Sequence, residues 1–228
     1  MSDDNANAAE AQAAEQQGDE TMAADTQRAQ KVYIVDDDGA LRQSVAWLME
    51  SVQLQTESFA SAVEFLQRFH PAMRGCVVLD LRMPRMSGLE LQEALAETGC
   101  DLPIIFVTGH GEVSSAVQAL KGGAFDFIEK PFSNNRLLER VQAALAYETE
   151  RWEKARAEAR VRLRFTQCTA RELQVLDHLV AGASNKQVAD ALDISIKTVE
   201  VHRARLMEKT ESASFAELVR LALAREVR

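Results

Sequence analysis

The sequence predicts an α/β domain, a five-stranded parallel sheet wound with helices on both faces, followed by a small all-α domain of four helices. Three observations lead there. Between residues 31 and 146, short apolar runs alternate with helical patterns, the signature of strand–helix units in a parallel sheet. Four of those runs end on an acid, a hydroxyl or a lysine. After Phe165 the strand patterns stop, and three capping-box signals mark out helices alone.

Residues 1–30 come first. They hold 7 acids and 1 base among Ala, Gln and Asn, with almost no large apolar side chain. Such a stretch buries too little surface to offset its ordering entropy, so a disordered acidic tail is expected. The α/β region, residues 31–146, follows. Its strand patterns are Val32–Val35, Leu54–Ser58 (the weakest), Val77–Asp80, Ile104–Val107 and Phe125–Glu129. Its helical patterns are Leu41–Val52, Ala60–Phe69, Gly88–Glu97, Val113–Lys121 and Asn134–Tyr147. Ser133 can cap the last of these, and nothing breaks that pattern before about Leu163. Residues 147–165 therefore read as a helical linker, supported by Glu150 with Lys154 and Glu158 with Arg162, opposite charges four apart. Leu138, Val141, Leu145, Trp152, Ala155 and Ala159 share a 3/4 spacing that Glu148 interrupts. Both a coiled-coil seam and a solvated connecting helix fit that pattern.

In residues 166–228, Thr169-x-x-Glu172, Ser184-x-x-Gln187 and Ser214-x-x-Glu217 are capping boxes, and Ser195 is a simpler cap. They delimit helices at about 170–180, 185–192, 196–209 and 215–224. The eight-residue second helix, the turn Asp193-Ile194-Ser195 and the longer third helix read as helix-turn-helix.

Composition narrows the function classes. At 46% hydrophobic residues, the 228-residue chain can fill a core. No apolar run approaches membrane-spanning length, and the N-terminus lacks the regions of a signal peptide. Cys76, Cys100 and Cys168 are odd in number and widely spaced, which fits reduced thiols in a cytoplasmic protein and argues against zinc. The net charge of −9 is uneven. Residues 31–146 hold 15 acids and 10 bases, 147–165 hold 4 and 6, and 166–228 hold 9 of each. The C-terminal part is thus the least acidic; the whole-chain charge alone argues against nucleic acid, but the distribution matters more than the sum.

The strand ends carry the chemistry. In open parallel sheets, ligands bind beyond the carboxyl ends of the strands. There the sequence places Asp36-Asp37-Asp38, Asp80, Thr108 and Lys130-Pro131. Clustered carboxylates repel unless a hard cation neutralises them, and all-oxygen ligands favour Mg²⁺. A carboxylate beside such an ion can attack phosphorus, with Lys130 balancing charge on the phosphoryl oxygens and Thr108 donating a hydrogen bond. His110 reads as a loop residue, and Met83 and Met86 as loop packing.

With Asp36-Asp37, Asp80 followed by Met83-Pro84 and Ser87-Gly88, Thr108-Gly109 and Lys130-Pro131-Phe132, residues 31–146 resemble the receiver domain of two-component response regulators. The resemblance implies a flavodoxin-like fold and a site with assigned roles. Asp80 accepts a phosphoryl group from a sensor histidine kinase. Asp36, Asp37, Asp80 and the Arg82 backbone carbonyl hold Mg²⁺, while Thr108 and Lys130 read the phosphoryl group. The Lys130–Pro131 bond is cis, and Phe127 occupies the aromatic switch position, where a plain core role is an equal alternative. Asp38 leaves the register of the doublet ambiguous; Asp36 and Asp37 are preferred because Asp36 directly follows the strand. A haloacid-dehalogenase-like phosphatase also uses a strand-end Asp, but it wants an acid two residues later, where this chain has Arg82.

Thr169-x-Arg171-Glu172-x-x-Val175-Leu176, Gly182-x-Ser184-Asn185-Lys186 and Ser195-x-x-Thr198-Val199-x-x-His202 resemble the LuxR-type helix-turn-helix domain, with Cys168 where that family usually has Leu. In the third helix, Ile196, Val199, Leu206 and the Arg203 stem are expected to face neighbouring helices. Lys197, Glu200, Val201 and Ala204 form the opposite stripe, suited to the major groove. There Glu200 can accept from a cytosine amino group and Val201 can meet a thymine methyl. Lys186, Lys197, Arg203, Arg205 and Lys209 are candidates for phosphate contacts. The expectation is a phosphorylation-controlled, DNA-binding transcriptional regulator, not an enzyme, of the NarL/FixJ-like kind. Its expected partners are a sensor histidine kinase, double-stranded DNA and a second copy of itself on phosphorylation. RNA polymerase is a further candidate partner, and a helical domain that binds protein is the alternative.

Overall fold

The computed structural model describes residues 29–109 and 113–226. The expected acidic tail up to residue 28 and the His110 loop lie outside these residues. The chain divides into two units, Met1–Arg151 and Trp152–Arg228.

Among the described residues, the first unit holds five strands: β1 (Lys31–Val35), β2 (Gln55–Phe59), β3 (Gly75–Asp80), β4 (Ile104–Thr108) and β5 (Asp126–Glu129). All pair in parallel, in the order β2-β1-β3-β4-β5. β3 sits at the centre and is buried along its whole length, which is why its sequence is a continuous apolar run. β2 is an edge strand with a single buried residue, Phe59, which explains its weak pattern. The intervening helices are α1 (Gly39–Glu50), α2 (Ala62–Arg68), α3 (Gly88–Glu97) and α4 (Val113–Lys121), before α5 (Asn134–Thr166).

Strand residues alternate between two cores. Tyr33, Val35, Val77, Leu79 and Phe106 pack with Phe65 of α2 and with Leu91 and Leu95 of α3. Val32, Ile34, Cys76, Val78, Ile105 and Ile128 pack on the other face with Val45 and Met49 of α1 and with Leu137, Val141, Ala144 and Leu145 of α5. The sheet is therefore covered on both sides, as a doubly wound arrangement requires.

α1 begins two residues earlier than expected. The Asp38 carboxylate accepts from the backbone N–H groups of Ala40 and Leu41, and so caps the helix at Gly39. The first part of the α5 spacing also has a different cause from a coiled-coil seam: Val141 and Leu145 belong to the core of the first unit. Glu148 does not interrupt the buried stripe but continues it, at 5% exposure, paired with Arg74. Burial pushes the Cys76 thiol up to about 12, helped by the Glu148 charge, so Cys76 is an inert core thiol.

The second unit contains α6 (Ala170–Val180), α7 (Asn185–Leu192), α8 (Ile196–Lys209) and α9 (Phe215–Glu226). The first two capping boxes form as expected, with Glu172 reaching back to Thr169 and Gln187 to Ser184. At the third signal, Ser214 accepts from the Glu217 N–H, but the Glu217 carboxylate reaches Ala213 N one residue earlier. The α7–α8 turn needs no glycine, because Asp193 itself takes the left-handed conformation that ends α7. Cys168 packs at the margin of the core formed by Phe165, Leu176, Leu206 and Leu218, an apolar role that suits a Leu-like position.

Candidate functional site

Parallel register brings the strand ends level. Val35 pairs with Leu79, so the next residues, Asp36 and Asp80, emerge side by side from β1 and β3. Asp80 pairs in turn with Val107, and Thr108 with Glu129, which places Thr108 and Lys130 along the same edge. Asp36, Asp80 and Thr108 are buried, and Asp37 is exposed.

Lys130 spans the acids. Its Nζ donates to Asp36 Oδ2 at 2.9 Å and to Asp80 Oδ1 at 2.8 Å. The other Asp80 oxygen accepts from Arg82 N at 3.0 Å, and Asp36 Oδ1 accepts from Asp38 N at 2.8 Å. The Lys130–Pro131 bond is cis, and the Lys130 N–H donates to the Thr108 carbonyl at 2.6 Å. Burial raises the Asp80 carboxyl above the ordinary carboxylate value against the opposing pull of Lys130, and the neighbouring Asp36 adds to the rise. Burial alone would lower Lys130, but its bonds to Asp36 and Asp80 leave it raised.

One carboxylate oxygen each from Asp36, Asp37 and Asp80 lie within 4.8 Å of one another. Three carboxylates against one ammonium leave an excess of two negative charges, carried entirely on oxygen donors. That donor set fits a hard divalent cation such as Mg²⁺. Asp38 stands apart from these three: its Oδ1 accepts from Ala40 N and Leu41 N as the α1 cap. Sequence reasoning missed Arg42, whose Nη1 donates to the Asp36 carbonyl at 2.6 Å across the first turn of α1. An Arg six residues after a strand-end acid carries no distinctive sequence signal. Phe127 lies half-buried on β5, paired with Phe106 and packed at the margin of the α2–α3 core.

The second unit presents α8 much as its sequence suggests, with two corrections. Val199 and Leu206 are buried, and Lys197, Glu200, Val201, Ala204 and Arg205 are exposed. Ile196, expected to face inward, is 46% exposed, because it opens the helix directly after the Ser195 cap. The Arg203 stem does turn toward a neighbour, with its guanidinium 4.1 Å from the Phe215 ring centroid. Lys209 also turns inward. Its Nζ lies 2.8 Å from the carboxylate of buried Glu172, which removes it from the exposed cations of the helix. Glu172 is held below the usual carboxylate value: burial opposes this, but the Lys209 and Thr169 hydrogen bonds outweigh it. Lys186, on α7, is exposed.

An acid cluster bridged by a lysine at the carboxyl edge of a doubly wound sheet, in one chain with a helix-turn-helix unit, defines a signal-receiving module paired with a DNA-binding one. Residues 32–142 match the response regulator receiver domain, and residues 166–222 match the bacterial regulatory proteins of the luxR family. The transcriptional regulatory protein TdiR of Thauera aromatica is 42% identical over 202 residues, covering 89% of each chain. The transcriptional regulatory protein FixJ of Azorhizobium caulinodans is 45% identical over 192 residues, covering 84% of this chain and 91% of that one. Among solved structures, the response regulator StyR matches with a TM-score of 0.78 and 39% identity, over 85% of this chain and 98% of that one. The protein belongs to the FixJ-like family of two-component transcriptional response regulators. It is a DNA-binding regulator of transcription, not an enzyme, and a sensor kinase and DNA are the partners its two domains imply. Among the described residues, no helix is long and apolar enough to cross a membrane.

Proposed function

We propose that Asp80 is the phosphoacceptor and that the remaining strand-end residues build its switch. The observation that carries this reading is Lys130, whose ammonium touches both Asp36 and Asp80. In the transfer, an Asp80 carboxylate oxygen attacks phosphorus, the P–N bond to the kinase histidine breaks, and an acyl phosphate forms on Asp80. Burial makes that carboxylate more basic than an ordinary one, and so a better nucleophile once ionised. Asp36, Asp37, Asp80 and the Arg82 carbonyl hold Mg²⁺, which when bound screens the charge between the attacking carboxylate and the phosphoryl oxygens. Lys130 then gives up its bond to the bare carboxylate and pairs with a phosphoryl oxygen. Thr108 donates its hydroxyl to another, and Phe127 moves into the space this leaves.

In the second unit, Lys197, Glu200, Val201 and Ala204 enter the major groove. Lys186, Lys197 and Arg205 contact phosphates, and Arg203 joins them from its seat on Phe215. Lys209 acts indirectly, by fixing the end of α8 through Glu172. The 166–228 segment holds 9 acids and 9 bases, so one copy neutralises few phosphates. Phosphorylation therefore acts by pairing two copies on a two-fold site, in a cytoplasmic protein that works alongside RNA polymerase.

The test is footprinting on genomic DNA, with and without a small acyl phosphate, together with sedimentation of the same samples. Protection should need phosphorylation and coincide with dimer mass, and Lys130→Ala should take up the phosphoryl group without gaining protection. Tight, phosphate-dependent binding by a protein that stays monomeric on DNA would rule out pairing.

The DNA contacts have their own signature. Glu200→Ala should shift base preference at one position per half-site by about 1–3 kcal/mol. Lys197→Ala should weaken all sequences alike and flatten the salt dependence by about one unit. Selection from a randomised duplex library reads both effects. An unchanged consensus in Glu200→Ala would mean that another face of α8 enters the groove.

A further inference from the structure

At the opposite edge of the sheet from the acid cluster lies a buried polar knot that the phosphoryl chemistry does not use. α5 packs on the sheet through Leu137, Val141, Ala144 and Leu145, and the next position on that stripe is Glu148. Its side chain is 7% exposed and faces Arg74, itself 11% exposed, in the loop that enters β3. The pairing is bidentate: Arg74 Nε donates to Glu148 Oε1 at 2.9 Å and Nη2 to Oε2 at 3.0 Å. Gln30, just before β1, adds a 2.5 Å bond to Glu148 Oε2 and further bonds to the Leu145 carbonyl and Thr149 Oγ1. The Arg74 carbonyl accepts from Lys31 N and Tyr33 Oη. The knot thus joins the starts of β1 and β3 to one turn of α5.

A buried ion pair is a poor source of stability, because desolvation of two charges offsets their attraction. An apolar residue at 148 would continue the stripe more simply. What a bidentate pair adds is direction: Arg74 presents a rigid planar fork, and it donates both bonds to the Glu148 carboxylate over only a narrow range of helix rotation and axial height. Apolar packing alone lets a helix slide and rotate by small amounts on a sheet. α5 then continues without a break to Thr166, past the end of the first unit.

We propose that Arg74 and Glu148 are positioning residues that fix the rotational register in which α5 leaves the receiver, and that the DNA response to phosphorylation depends on this register. The proposal rests on the phosphorylation-controlled reading above. Neither side chain touches the acid cluster, so phosphoryl uptake does not need them.

The experiment uses the full chain and a duplex selected by the phosphorylated wild-type protein from a randomised library. Three quantities are read for each variant: melting temperature, phosphoryl incorporation from acetyl phosphate with Mg²⁺, and the ratio of DNA affinity with and without phosphorylation. The double variant Arg74→Met/Glu148→Leu replaces the pair by apolar groups. It should melt no lower than wild type and take up the phosphoryl group at the wild-type rate. Its affinity ratio should collapse toward one, from a wild-type ratio of about tenfold to a hundredfold. Arg74→Lys keeps the charge but loses the fork, and should retain only part of the ratio. A full wild-type ratio in the double variant would overturn the proposal and leave the pair as packing. Should the double variant not fold, a full ratio in Arg74→Lys would overturn it equally. A wild-type protein that is phosphorylated without any gain in affinity would instead sink the underlying functional reading, which keeps the two failures apart.

Discussion

Asp80→Asn is expected to take up no phosphoryl group from acetyl phosphate and Mg²⁺, whereas wild type gains one that is labile in acid and base. The amide keeps the size of the side chain and can still accept from Arg82 N, so the fold should survive. It loses the anionic nucleophile and one arm of the Lys130 bridge. Removing that charge also relieves the repulsion with Asp36, which contributes to the raised Asp80 value. Asp80→Asn should therefore be at least as stable as wild type while inactive in phosphoryl uptake. Intact-mass spectrometry reads the phosphoryl group and thermal melting reads the fold. A phosphorylated Asp80→Asn protein would move the acceptor to another residue, and Asp37, the exposed acid of the cluster, would be the first to test.

Gly75→Ala should cost the receiver a large part of its stability. Gly75 starts β3 at φ +126, a conformation that L side chains rarely adopt, and a Cβ there would lie 1.8 Å from the Lys31 carbonyl oxygen on β1. Both obstacles are backbone, so no rotamer change relieves them. The two strands would have to part at the Lys31–Gly75 pair, the first pair of their ladder. A penalty of about 4 kcal/mol or more is the scale for such a site, against a total of about 5–15 kcal/mol for a domain. Gly123 provides the control: it also has positive φ, at +91, but its Cβ would meet nothing within 4 Å. Gly123→Ala should cost only about 1–2 kcal/mol. Melting curves followed by circular dichroism separate the two, and a Gly75→Ala protein no less stable than Gly123→Ala would refute this account.

The acid cluster was legible because its residues all follow apolar runs. A buried strand announces itself by composition, and parallel pairing brings successive strand ends to one edge, so the sequence alone brings Asp36, Asp80, Thr108 and Lys130 together. The helices of the second unit were equally legible, because a capping box is a local device: Thr169 with Glu172, and Ser184 with Gln187, close within three residues. Ile196 was misread for the same reason that Val199 was read correctly. The 3.6-residue period assigns a face to every apolar residue, but at the first turn of a helix no neighbour need cover it.

The linear order of residues determined the strand–helix alternation, which residues stand at the strand ends and the boundaries of most helices, since each follows from forces acting within a few residues along the chain. Tertiary structure alone decided what long-range partners do. It turned Glu148 from a break in a seam into the buried partner of Arg74, 74 residues away. It drew Lys209 off the exposed face of α8 onto Glu172, 37 residues away, and assigned Asp38 to the α1 cap while Asp36 took Lys130, 94 residues distant. A charged side chain in isolation is at home in water. Only a folded chain that removes the water, and supplies an opposite charge in the same space, settles which carboxylate and which cation must meet.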